Sequence, residues 1–129
     1  MKEYQRQKGN KYILPRELYN QTIWQIRDYH RLKDQAEAIL EASPKPSDGQ
    51  PKGNGTGNAV ESKAIRRERL LCTIRIIEES KASIPIEYRE GIWNNVLFRQ
   101  PFPEDADRST YGRHKSKFVY EVAKKLFLL

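Results

Sequence analysis

Residues 105–129, DADRSTYGRHKSKFVYEVAKKLFLL, decide how this chain is read. Ser109 suits a helix N-cap. Arg113, His114, Lys115 and Lys117 follow with no acid between Arg108 and Lys117, after which Phe118, Val119, Val122, Ala123 and Leu126 recur at helical spacing. The pattern predicts one helix over 109–128, basic in its opening turns and apolar further on. A DNA-recognition helix is built this way, because its first turns meet phosphates and base edges while its later turns anchor in a core. An ordinary amphipathic helix with a solvated basic face accounts for the same residues equally well.

Immediately before it, Gln100-Pro101-Phe102-Pro103 must break any helix, and Glu104 to Arg108 reads as a short acidic turn. A preceding helix is expected over 84–99, entered through Ile84-Pro85 with proline in its first turn. Tyr88, Ile92 and Val96 form its core face, with Trp93 and Leu97 beside them.

Further toward the N-terminus, the chain from Pro15 to about Ala42 lacks glycine and further proline. Tyr19, Ile23, Ile26, His30, Leu32 or Lys33, Ala36 and Leu40 recur every three or four residues, which predicts one long amphipathic helix, 15–42. Residues 59–83 repeat the pattern with Val60, Ala64, Arg67, Leu71, Ile74 and Ile77. Between them, SPKPSDGQPKGNGTGN (43–58) has three prolines, four glycines and no large apolar residue. Such a segment cannot bury enough surface to offset its ordering entropy. It is expected to be a disordered linker closing an antiparallel helical hairpin over 15–83, with coiled-coil character. The same stripes could pair between chains, which leaves a homo-oligomer open. Its KGNGTGN run lacks the preceding strand and terminal Gly-Lys-Ser/Thr of a phosphate-binding loop.

Strict strand alternation is absent, so the expected class is all-α. The 129 residues suffice for one domain with its own core, organised as a flexible basic arm (1–14), the hairpin (15–83) and a helix-turn-helix-like unit (84–129). Net charge is +7 and sequence pI about 9.6, which favours an anionic partner such as nucleic acid. The excess is greatest from Arg99 to the C-terminus, and Lys2, Arg6, Lys8 and Lys11 add a smaller N-terminal cluster. The single Cys72 sits among Leu70, Leu71 and Ile74 and is expected to be a buried thiol rather than a nucleophile. With no signal-peptide core and no apolar run of membrane-spanning length, a cytoplasmic location is expected.

Residues 84–126 resemble the small phage-encoded transcriptional regulators of the RinA and ArpU type, whose C-terminal part is similar to the region of sigma factors that reads the −35 promoter element. The resemblance rests on Ile84-Pro85-Ile86-Glu87-Tyr88-Arg89, Gly91-Ile92-Trp93, Pro103 and Ala106 in the turn, Ser109-Thr110-Tyr111-Gly112-Arg113-His114-Lys115, and Phe118, Val119, Val122-Ala123 and Leu126. It implies a DNA-binding regulator that acts by recruitment, with double-stranded DNA and RNA polymerase as partners. One departure is that 101–107 leaves little room for a complete first helix of the motif. Its three acids would also lie close to DNA.

The final helix supplies the candidate site. Thr110, Tyr111 and His114 are placed for base edges, Arg108, Arg113, Lys115 and Lys117 for phosphates, and Arg113 for either. Neither His30 nor His114 has neighbours at metal-ligand spacing, so no metal or other cofactor is expected. Adjacent carboxylates such as Glu78-Glu79 and Glu104-Asp105 belong to a helix face and a turn, and an enzyme is not expected. Trp24, Trp93, Phe98 and Phe102 could form a platform for single-stranded nucleic acid, although core and hinge packing is the expected role. Two other readings stay open: a protein-interaction adaptor whose degenerate helix-turn-helix no longer binds DNA, and a DNA-packaging protein resembling a small terminase subunit.

Overall fold

A computed structural model describes residues 11–42 and 55–127, with side chains for 11–40 and 61–127. Among the described residues the chain is all-helical: α1 (Arg16–Arg27), α2 (Tyr29–Ala42), α3 (Gly55–Ala82), α4 (Ile86–Phe98) and α5 (Arg108–Phe127), with no strand. None of these helices is long and apolar enough to cross a membrane.

The helix expected over 15–42 is broken at Asp28, which caps α1 with φ −80° and ψ 0°. The break follows from the spacing of the buried residues. Ile26, Tyr29 and Leu32 are all buried at steps of three, and an α-helix turns about 100° per residue, so each such step rotates the apolar face by roughly 60°. On one straight helix the residues buried from Tyr19 to Ile39 would spread over about 200°, whereas α1 and α2 each hold a face only about half as wide. His30, Lys33 and Leu40, expected on the stripe, are exposed, and Tyr29 and Ile39 take the buried places.

The chain divides into two compact units, one of residues 1–29 and 76–129, the other of residues 30–75. In the smaller unit Leu32, Ala36, Ile39 and Ile74 are buried. The Arg67 Nε–H donates to the Ala36 carbonyl at 3.3 Å, which brings α2 and α3 together at that level. Cys72 is exposed rather than buried, because two residues along a helix from Ile74 place it on nearly the opposite face. Helix α3 begins at Gly55, so residues 55–58 of the expected linker are helical. The rest of that linker lies outside the described residues, as do residues 1–10 of the expected arm.

In the larger unit α1, α4 and α5 pack against one another. Ile23, Ile26, Ile92, Val96, Val119 and Val122 are at most 1% exposed and form its centre, with Ile77 from the end of α3. Thr22 is buried among them, its hydroxyl donating to the Leu18 carbonyl at 2.7 Å. The end of the expected arm is not free: Leu14 is buried and Tyr12 packs on Tyr120, with ring centroids 5.4 Å apart. Pro15 and Pro85 stand one residue earlier than expected, as N-caps with extended ψ of 144° and 138°. Their carbonyls accept the first helical N–H bonds, from Tyr19 and Arg89.

The α3–α4 corner is tied by Arg89, whose guanidinium donates to the Ala82 and Ile84 carbonyls at 2.8 and 3.0 Å, satisfying groups that the end of α3 leaves unpaired. At the other end of α4, Arg99 adopts a left-handed backbone (φ 58°, ψ 29°) and buried Asn95 donates its amide N–H to the Gln100 carbonyl at 2.7 Å. Residues 99–107 then run without helix to α5, and the Pro103 ring lies against Gly91. A Cβ on Gly91 would sit 2.7 Å from Pro103 Cδ and 2.9 Å from Tyr111 Cε1. Glycine at 91 is what lets the connector fold back along α4 toward its N-terminal end.

Candidate nucleic-acid interface

Helix α5 starts at Arg108, one residue before the expected cap, and Asp107 takes the capping position, its carbonyl accepting N–H bonds from Thr110 and Tyr111. Ser109 is therefore inside the helix. Its first turn contains no acid, and no acid occurs until Glu121. The acids of the connector stand just outside, where a carboxylate complements the positive end of the helix dipole.

The buried side of α5 is made by Tyr111, Ser116, Phe118, Val119, Val122 and Ala123. At about 100° per residue these cover a little under half of the helix circumference. The opposite arc carries Thr110, Arg113, Lys117 and Lys124 in one row, with His114 at its edge. Arg113, Lys117 and Lys124 are exposed, and Thr110 and His114 are half-buried. Arg108 is exposed at the helix start.

Three of the seven expected contacts do not lie on this row: Tyr111, Lys115 and Arg108, the last nine residues before Lys117 and so about 180° around the wheel from it. Tyr111 has no exposed surface. Its ring stacks on Phe102 (centroids 5.2 Å, 11° between planes) and meets Tyr88 edge-on at 5.3 Å, while its hydroxyl donates to Asp105 Oδ1. That hydrogen bond first, then burial and the Asp105 charge, push the Tyr111 pKa up to about 12. Tyr111 is thus the anchor of α5 and not a base-edge contact. Lys115 is half-buried and falls on the packing side of the wheel, two residues from Lys117 and so turned well away from it.

His114 stacks on Tyr88 with centroids 4.8 Å apart and planes 20° apart. Burial, then the charges of Arg113 and Lys117, push its pKa down, against a smaller opposing effect of Glu87. The imidazole is therefore held toward its neutral form, able to donate or accept one hydrogen bond. It borders a small depression with Lys117, Ser80, Ser83, Pro85 and Glu121. Lys125 pairs weakly with Glu79 of α3 at 3.8 Å, both side chains being well exposed.

The sequence reading missed Lys124, whose signal was present: it lies seven residues, close to two helical turns, beyond Lys117. Among the four aromatics, Trp93 is buried and Phe102 half-buried, as packing requires. Trp24 and Phe98 instead expose 60% and 55% of their surface. Among the described residues no group of three or more His, Cys, Asp or Glu is placed to hold a metal ion. Comparison with known proteins finds no matching family model, no matching curated protein and no matching solved structure.

Proposed function

We propose that this chain is a cytoplasmic, phage-type transcriptional regulator that binds double-stranded DNA through the exposed row of α5 and acts by recruiting a partner such as RNA polymerase. The observation that carries this reading is the row Thr110, Arg113, Lys117 and Lys124, acid-free over its first three members and braced from behind by Tyr111, Phe118 and Val122. A rigid helix with cations on one side and core anchors on the other can enter a major groove without local unfolding. Arg108, Lys117 and Lys124 would meet phosphates, Thr110 and His114 base edges, and Arg113 either. The α4–connector–α5 segment would act as the helix-turn-helix-like unit. Helices α2 and α3, if they form the hairpin, would set oligomeric state or hold the protein partner through exposed Leu40 and Ile65.

The test is fluorescence anisotropy with labelled duplex over a range of salt concentrations. The four α5 cations assigned to DNA, Arg108, Arg113, Lys117 and Lys124, each releasing about 0.9 counterion, give a log–log salt slope of roughly −3.6. Lys117→Ala or Lys124→Ala should flatten that slope by about one on every sequence alike. Arg113→Ala should weaken the preferred sequence more than a random one. Absence of duplex binding at low salt, or binding untouched when Arg108, Arg113, Lys117 and Lys124 are all alanine, would refute the reading.

A further inference from the structure

At the C-terminal end of α4, away from the Tyr88–His114 end where α5 opens, an exposed aromatic and cationic surface has no part in the DNA reading. Trp24 of α1 exposes 60% of its surface and Phe98 at the end of α4 exposes 55%. The Arg27 and Arg99 guanidiniums lie 5.4 and 5.9 Å from the Trp24 ring centroid. Arg27 is itself anchored, its Nε–H donating to the Val96 carbonyl at 2.7 Å. The two chain stretches that build this surface, 18–27 and 91–103, contain no acid.

A large indole left mostly in solvent gains little from burial. Arg99 occupies a left-handed position where glycine would sit without steric cost. An arginine kept there places a guanidinium beside an exposed ring.

We propose that Trp24, Phe98, Arg27 and Arg99 form a binding surface for single-stranded nucleic acid. Unpaired bases stack on aromatic rings and on guanidinium planes, and the same guanidiniums draw in the phosphates between them. The net charge of +7 and the paired guanidiniums suit a polyanion. Thirteen residues of α4 span about 20 Å, so this surface and the opening turns of α5 lie at opposite ends of that helix and can be separated by mutation.

The experiment uses the full chain with fluorescein-labelled dT16 and U16, and a 16-base-pair duplex as the second arm. Expected is saturable binding of at least one single strand, with quenching of the exposed Trp24 fluorescence that disappears in Trp24→Phe. Trp24→Ala and Arg99→Gly should each lower single-strand affinity by on the order of tenfold, with duplex affinity within twofold of the parent. Arg99→Gly relieves the backbone and so remains a valid test if Trp24→Ala folds poorly. Lys117→Ala should lower duplex affinity and leave the single-strand contacts at Trp24 in place. The proposal is overturned if neither strand binds at low salt, if Trp24→Ala and Arg99→Gly leave single-strand binding unchanged, or if both arms fall together. Loss of the duplex arm alone would count against the α5 reading only.

Discussion

Replacing Tyr111 separates its role as an anchor from any role in reading DNA. Its side chain is fully buried, stacked on Phe102, edge-on to Tyr88 and hydrogen-bonded to Asp105. Truncating a buried ring of this size costs about 3–5 kcal/mol, a large part of the 5–15 kcal/mol that typically holds a domain together. Tyr111→Ala should therefore shift the urea midpoint strongly and release the connector. Tyr111→Phe keeps both ring contacts and loses one hydrogen bond to a carboxylate that water can still solvate, so about 1 kcal/mol is expected. The Phe variant should bind its preferred duplex within twofold of the parent. The hydroxyl also gives a pH signature. Folded Tyr111 keeps its proton to about 12, whereas an unfolded tyrosine releases it near 10, so its contribution is whole below pH 10 and is lost as pH rises from 10 to 12. Stability across that range, followed by urea denaturation, should fall less steeply for Tyr111→Phe. A Phe variant with unchanged stability but tenfold weaker binding to the preferred sequence would show that the hydroxyl faces DNA, and the orientation assigned to α5 would be wrong.

The two glycines bracketing this cluster should respond in opposite directions. Gly91→Ala drives a Cβ into Pro103 and Tyr111 and should cost about 1–3 kcal/mol in thermal or urea denaturation, whereas Gly112→Ala meets open space and should stabilise by roughly 0.5–1 kcal/mol. Ile26→Ala and Ile74→Ala, which empty buried positions, should each cost about 2–5 kcal/mol, while exposed Arg66→Ala should stay within about 0.5 kcal/mol; equal small effects for all three would contradict the assigned burial. Because the His114 pKa is pushed below 6.5, the unfolded chain takes up that proton first and stability should fall as pH drops below about 6.5. His114→Gln should flatten that fall, and an unchanged acid limb would remove His114 from the pH response.

The all-helical class and the approximate extents of α3, α4 and α5 were legible because each depends on local pattern, proline at 85, 101 and 103 and apolar residues at helical spacing, whereas residues 15–42 read as one helix and form two. The face each residue presents was less legible. His30 and Leu40 fit a continuous stripe on paper, yet the stripe rotates at Asp28, and that rotation is visible only when the steps of three from Ile26 to Leu32 are counted as angle. Cys72 is flanked in sequence by apolar residues, but its neighbours on a helix lie three and four residues away, and it is exposed. Trp24 and Phe98 gave no local sign of exposure, since aromatic residues on helices are most often buried.

The same distinction governs the candidate site. A run of basic residues in sequence is not a basic face, because consecutive helical positions diverge by about 100°. Of 108–117, the residues that share one side are Thr110, Arg113 and Lys117, and the wheel adds Lys124 from beyond the run. Tyr111 sits among them in sequence but is drawn inward by Tyr88 and Phe102, partners 23 and 9 residues away that no local pattern reveals. What positions the exposed row is thus the non-local aromatic cluster behind it. Glycine at 91 admits Pro103, Pro103 and the connector deliver Phe102 and Asp105, and these hold Tyr111 so that Arg113 and Lys117 face solvent. A substitution at Gly91, remote from every exposed cation, should therefore weaken duplex binding by disturbing the orientation of α5, and Lys117→Ala should weaken it with the fold intact.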